Sequence, residues 1–446
     1  MVNQLRIGID GYNLALRHGT GIATYGRALA RTLQSAGHRV EGVFGLDVGK
    51  DPALREVHFF DLLDRIEPTR RTPRQVAARR ARLLRDALNP LLSLRAIEVP
   101  RTGRVETATF ADRLPAFDRV TSAAHLFAIA HLHFKYYGRF VRLRMDDPPD
   151  IMHWTYPLPV ELVGSRNIYT LHDLVPLRLP YTTLDAKASY RALARACVTR
   201  GAHVCTVSEA SRRDIVTEFA IDPARVTNSY QASPLPADAL ARSPAEDSAM
   251  IEGIFGLRAQ GYFLYFGAIE PKKNLGRLIE AYLSIATDTP LVIVGARAWR
   301  SEEELRLLRE DEDGESAQRQ ALARRIIRLE YMPRPLLLRL IRGARAMVFP
   351  SLYEGFGLPV LEAMQFGTPI LTSNTSSLPE VAGDAAVLVD PYDVLAIAAG
   401  LRALDGDPAL RARLAMAGPA QAATFSEERY RGRLEDMYAR VMAAPA

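Results

Sequence analysis

A chain of 446 residues is about three times the usual domain length, so two domains are expected and a single small binding module is excluded. Hydrophobic residues make up 48% and charged residues 24%, enough apolar side chain for two cores and too much for a largely disordered polymer. Residues 1–240 carry 33 Lys and Arg against 24 Asp and Glu, and 241–446 carry 24 against 27, so the net charge of +6 is a property of the first half and a general nucleic-acid partner is not expected.

Met1-Val2-Asn3-Gln4-Leu5-Arg6 enters a strand-like run with no charged leader, apolar core or cleavage site, so no export signal is expected. The glycine loop Gly19-Thr20-Gly21-Ile22 follows, with a helix over 26–36. Strand, glycine loop and helix open a nucleotide-type α/β domain, although such a loop is also an ordinary tight turn. The next strand is expected over 40–46.

Seven arginines between Arg70 and Arg85, interleaved with Val76, Leu83 and Leu84, predict a basic amphipathic helix. Such a helix suits an anionic membrane face, a phosphorylated acceptor or a solvated domain surface, with Arg74, Arg79 and Arg82 as the candidate contacts. The longest apolar run, 123–130, falls well below the roughly 18 residues of a membrane span.

Short apolar runs at 151–154, 167–172 and 203–208 alternate with helix-starting segments and predict a parallel sheet. Cys197 and Cys205 fit no metal-ligand spacing and suit a reducing, cytoplasmic compartment. Residues 233–247 are rich in Pro and Ala and are expected to be a linker, dividing 1–240 from 241–424. The pattern then restarts with a strand over 262–267, a loop carrying Pro271-Lys272-Lys273-Asn274 and a helix through Tyr282. Further strands are expected over 291–295, 346–350, 369–372 and 386–390, a long exposed helix over 302–328 interrupted around 311–315, and a helical segment over 425–446 that crosses back to the first domain.

The densest chemical signal lies in 349–364, where Glu354 and Glu362 are separated by seven residues that include Gly355-Phe356-Gly357-Leu358-Pro359. The glycines allow close backbone approach, Pro359 suits a first helical turn, and the amides of that helix start would face an anion. Taken alone, the two carboxylates are also consistent with a helix cap and a solvated side chain.

With Gly19-Thr20-Gly21-Ile22, the run 169–176, Thr206-Val207-Ser208-Glu209 with Arg212, the run 267–274, and Ser373-Asn374 followed by 378–383, this block resembles the retaining nucleotide-sugar glycosyltransferases of family 4. The resemblance implies an α/β GT-B fold, two facing Rossmann-like domains with a deep cleft between them. It implies that Glu354 contacts the donor sugar and that backbone amides around Phe356, Gly357 and Leu358 approach sugar and phosphates. Glu362 would bond the ribose, while Lys273 and Lys272 would neutralise the departing diphosphate. From the first domain, Gly19 and Gly21 would let the backbone approach the phosphate or acceptor, and His172 would face the sugar with Asp173 holding its loop. Many relatives carry an arginine where Ala268 stands, so the clamp would lean on the lysines or on an arginine from elsewhere.

The implied reaction is a metal-independent same-face displacement, since no second carboxylate is placed as a nucleophile and no Asp-x-Asp motif lies near the diphosphate loop. The expected donor is a GDP- or UDP-linked hexose, GDP-mannose first, with no other cofactor. The expected acceptor is a cell-surface polysaccharide or lipid-linked glycan, met in the cytoplasm or at the inner face of the membrane. The region 50–145 matches no general pattern of the family and is assigned to acceptor recognition. A non-catalytic sugar or nucleotide scaffold, and an epimerase or phosphorylase of related fold, stand as alternatives.

Overall fold

The computed structural model describes residues 4–16, 21–64, 73–89, 92–111, 113–183, 186–298, 300–308 and 325–444, without the side chains of 73–76 and 79. Two large sheets organise it. The first draws on 6–228 and places its strands in the order Val226–Asn228, His203–Thr206, Arg166–Thr170, Ile151–Trp154, Arg6–Asp10, Arg39–Phe44, Arg119–Ser122, Ile97–Glu98. All pairs are parallel except the last, which adds an antiparallel edge. The second runs Ile326–Leu329, Leu291–Val294, Phe263–Phe266, Ala346–Phe349, Ile370–Ser373, Val387–Val389, parallel throughout.

Counted within its own half, the second sheet follows the doubly wound order 3-2-1-4-5-6. In both sheets the order reverses beside the first strand, which leaves a crevice at the strands' carboxyl ends where ligands bind in such folds. The strands Phe263–Phe266 and Leu291–Val294 are buried at every position, as expected where helices cover both faces.

The first helix begins at Gly21, five residues before the expected start, and runs to Ser35. The expected long helix over 302–328 is not what forms. Short turns occupy Ser301–Glu304 and Arg306–Leu308, and Ile326–Leu329 is an edge strand paired with Leu291–Val294. The interruption expected around 311–315 lies outside the described residues.

Within 50–145, the helix Arg55–Asp64 packs Phe59 edge-on against Phe44 of the first sheet, while Ser93–Arg95 and Val141–Arg144 pair in a small parallel sheet with Val160–Leu162. The basic helix Pro73–Ala87 buries Leu83 and Ala87, and its end is held by His133 and Tyr137, which bond the carbonyls of Ala87 and Leu88 at 2.8 and 2.6 Å. Arg82 is exposed. No helix among the described residues is long and apolar enough to cross a membrane.

The last helix, Glu427–Ala443, lies against the first half of the chain. It buries Tyr430, Leu434, Met437, Tyr438 and Val441. The Tyr438 hydroxyl meets His153 Nδ1 at 2.6 Å, and Arg440 donates to Thr227 Oγ1 at 3.0 Å.

Candidate functional site

The ends of the strands from both sheets open on one cleft of about 860 Å³. On the second-sheet side, the chain leaves Phe263–Phe266 through Gly267 and makes a short turn over Pro271–Lys273. Asn274 closes that turn in the left-handed region, φ 60°, and its buried amide donates to the carbonyls of Pro350 and Pro391 at 2.9 and 2.7 Å. The lysine loop is thereby tied to the ends of two other strands of its sheet, Ala346–Phe349 and Val387–Val389. Ser351 Oγ and the Leu352 amide both donate to the Lys272 carbonyl, at 2.9 and 2.8 Å.

These ties bring Lys273 Nζ to 2.6 Å from Glu354 Oε1 and 5.1 Å from the centre of the Phe349 ring. Ser351 Oγ donates to the same carboxylate oxygen at 2.6 Å. Burial alone would raise the Glu354 pKa, but Lys273 and Lys272 hold it below the usual carboxylate range. Burial likewise works to lower the Lys272 ammonium, and the carboxylates of Glu354, Asp173 and Glu270 outweigh it and hold it above the ordinary lysine value. Lys272 therefore remains charged inside the cleft.

The turn between the glutamates is held from a loop that sequence reasoning passed over. Ser376 Oγ accepts from the Glu354 amide at 3.0 Å, and Ser377 Oγ bonds the carbonyls of Glu354 and Phe356 at 2.9 and 2.8 Å. Gly357 has φ 111° and precedes the helix Leu358–Gln365, with Pro359 in its first turn. A β-carbon at Gly357 would come within 2.9 Å of Leu378 as well as strain the backbone. Phe356 packs its ring against Tyr230 and Phe425, and Leu358 lines the cleft. Glu362, one helical turn further, accepts from Arg334 Nη2 at 2.9 Å and Ser233 Oγ at 3.4 Å. Arg334 was not among the expected residues.

The first half supplies the opposite wall. His172 and Asp173 follow Arg166–Thr170 and line the cleft. His172 Nε2 lies 2.9 Å from the Thr155 carbonyl, which can only accept, so this nitrogen carries the hydrogen. Burial pushes the imidazole pKa down despite that carbonyl and Asp173, which leaves a neutral ring with Nδ1 as an acceptor. Tyr25 packs edge-on against it, centroids 4.8 Å apart at 88°. Asp173 Oδ1 accepts from the Val175 amide at 3.0 Å, holding the turn. Gly21 lines the cleft, and a β-carbon there would meet nothing within 4 Å. Gly19 lies outside the described residues. Arg82 does not line this cleft, and the side chains of Arg74 and Arg79 lie outside the described residues; Arg27 is the arginine that the first wall contributes. Ser208 caps the helix Glu209–Phe219, and Arg212 donates to the Val226 and Pro223 carbonyls, a structural use.

The two walls touch. Ser211 Oγ donates to the His172 carbonyl at 2.8 Å with the Gly355 carbonyl at 3.4 Å, and a β-carbon on Gly355 would stand 2.8 Å from His172 O. Glu380 accepts from the amides of Glu209 and Ala210, at 2.7 and 3.1 Å, where the helix Glu209–Phe219 begins. Among the described residues, no three His, Cys, Asp or Glu side chains are placed to hold a metal ion.

Two doubly wound sheets facing across a cleft, with lysines and a glycine-led helix start on one wall and a neutral histidine on the other, make a GT-B fold with the parts of a group-transfer site. The family description "Glycosyl transferases group 1" matches residues 256–421. O-antigen chain mannosyltransferase B of Escherichia coli is 35% identical over 269 residues, covering 59% of this chain and 68% of that protein. The serotype-specific mannosyltransferase WbdA of E. coli is 29% identical over 61% of this chain, and the match spans 33% of WbdA. Among solved structures, sucrose-phosphate synthase from Thermosynechococcus elongatus superposes with a TM-score of 0.62 at 17% identity, covering 99% of this chain and 100% of that one. WaaG, a glycosyltransferase involved in lipopolysaccharide biosynthesis, gives 0.59 at 16% identity, covering 97% and 99%. The chain belongs to the group 1 glycosyltransferases.

Proposed function

We propose that the protein is a retaining mannosyltransferase that uses GDP-mannose and extends a cell-surface polysaccharide or lipid-linked glycan at the cytoplasmic face of the membrane. The observation that carries the donor site is Lys273 and Glu354 paired at 2.6 Å beside a helix start that also presents Glu362 to the same cleft. Mannose is favoured because the relatives at 35% and 29% identity are named mannosyltransferases.

In this reading Glu362 takes the ribose hydroxyls, the lysines and the helix-start amides take the diphosphate, and Glu354 takes the sugar hydroxyls. His172 Nδ1 accepts from a sugar hydroxyl near the reacting carbon. The bond from that carbon to the diphosphate oxygen breaks as the acceptor oxygen bonds to the same face, and the leaving oxygen takes the acceptor's proton. The protein orients both partners and stabilises the growing negative charge, the role a divalent ion fills in other transferases. The split of the chain into 1–240, 241–424 and a returning segment 425–446 belongs to this reading, as does contact of the basic helix with anionic lipid.

The test is a thermal-shift series with GDP, UDP, ADP and CMP on the native protein and on Glu362→Ala. A nucleotide at about 100 times its dissociation constant stabilises by roughly 2.7 kcal/mol. A shift with GDP that Glu362→Ala loses, followed by α-linked product formed from GDP-mannose in EDTA, is the expected result. No shift with any nucleotide would overturn the donor site, and inverted product or loss of activity in EDTA would overturn the mechanism.

A further inference from the structure

The wall contributed by the first half carries aromatic rings that the donor chemistry does not use. Tyr156 lines the cleft. Tyr12 lies beside it, ring centroids 6.0 Å apart and planes 24° from parallel, and His131 follows at 6.1 Å and 30° from Tyr12. All three are half-buried. Near-parallel rings whose centroids stand 6 Å apart are displaced sideways, so they form a staircase in which each leaves part of a face uncovered. The staircase leads out of the cleft onto the helix Leu126–Tyr137, where Lys135, one turn beyond His131, is exposed.

The arrangement is built rather than incidental. Asp10, fully buried at the end of its strand, accepts from the amides of both Tyr12, at 3.1 Å, and Thr155. One carboxylate thus fixes the two turns that carry Tyr12 and Tyr156. Tyr12 is braced edge-on by Phe127, centroids 5.1 Å apart, and His131 is fixed by a 2.7 Å bond between Nδ1 and the Phe127 carbonyl.

We infer that Tyr156, Tyr12 and His131 form a binding track for the acceptor glycan, with the acceptor's reacting end in the cleft and its preceding sugars laid along the rings. The C–H faces of pyranose rings pack on aromatic faces, and polar ring tips can bond the hydroxyls that rim them. The track is continuous with the cleft at Tyr156, which fixes the end at which the glycan reacts. This deepens the transferase reading and rests on it for the identity of the acceptor.

Calorimetry with mannose, an α-linked mannobiose and an α-linked mannotetraose, in the presence and absence of GDP, tests the track without requiring turnover. The native protein should bind the tetrasaccharide more tightly than the monosaccharide. Tyr12→Leu and His131→Gln should each weaken the tetrasaccharide by about threefold to tenfold while leaving GDP binding unchanged. Tyr12→Phe keeps the ring and should retain the preference for length, which separates loss of the platform from damage to the fold. Equal affinity for short and long glycans in the native protein, or an undiminished preference in Tyr12→Leu and His131→Gln, would overturn the track. Length-dependent glycan binding without any nucleotide binding would sink the donor site and leave the track standing.

Discussion

The Lys273 ammonium shares one carboxylate oxygen of Glu354 with Ser351, so the cation proposed to meet the diphosphate also helps keep the carboxylate proposed to meet the sugar ionised. Replacing Lys273 with Ala should therefore lower kcat by about 10²–10³, the scale for removing one donor aimed at developing negative charge. The same change should move the acidic limb of the kcat–pH profile upward, because burial then acts on Glu354 with Lys272 and the Ser351 hydrogen bond left to oppose it. Steady-state rates between pH 5 and 8 would check both, and an unmoved limb would show that Glu354 does not depend on this lysine. Arg334 pairs with Glu362 at 2.9 Å, but with 46% of the Arg334 side chain exposed that pair is the more solvated of the two.

Between elements, the contact to test is Glu380 on the helix Glu209–Phe219. Its carboxylate stands where the first amides of that helix lack intrahelical partners and where the helix dipole favours negative charge. Because Glu380 belongs to the half that carries the second sheet, the bond clamps the cleft closed. Glu380→Ala removes two charge-assisted bonds and should raise the donor KM and speed amide hydrogen exchange at Glu209 and Ala210. Unchanged exchange at those two amides would show that the clamp is not holding.

At this scale, what the sequence reveals and what it hides follow one rule. The buried parallel strands are legible because every residue in Phe263–Phe266 or Ala346–Phe349 is apolar, and the glutamate block because its turn needs glycine at Gly357. The strand Ile326–Leu329 escapes because it lies at the sheet edge, only Ile326 is fully buried, and it follows a highly charged stretch. Ser376, Ser377 and Arg334 escape because their partners are brought together by the turn and not by any spacing along the chain. Tyr12, His131 and Tyr156 become one feature only once three separate segments meet.

For the whole molecule, one acid-sensitive group is His153, whose side chain is buried between the first sheet and the last helix and bonded to Thr170 and Tyr438. Burial first, then the nearby imidazoles of His172 and His203, press its pKa down from 6.5 to about 3. The unfolded chain takes up a proton below about 6.5 that the folded chain refuses until about 3. His153 therefore contributes stability above pH 6.5 that is lost as pH falls toward 3, at up to about 1.4 kcal/mol per pH unit. Melting temperatures from pH 7.5 to 5 should fall more steeply for the native protein than for His153→Gln. Equal slopes would mean that His153 is protonated in the folded state.

The return of Glu427–Ala443 to the half that begins with Arg6 makes that half discontinuous along the chain. A ribosome delivers the first sheet early, yet the groove destined for Tyr430, Leu434, Met437, Tyr438 and Val441 stays uncovered until residues 427–443 have been added. The second half can close on itself during synthesis, whereas the first must wait, with apolar surface open to other nascent chains. Nonsense mutations just ahead of codon 427 would thus spare the second sheet and still expose the first to aggregation and proteolysis.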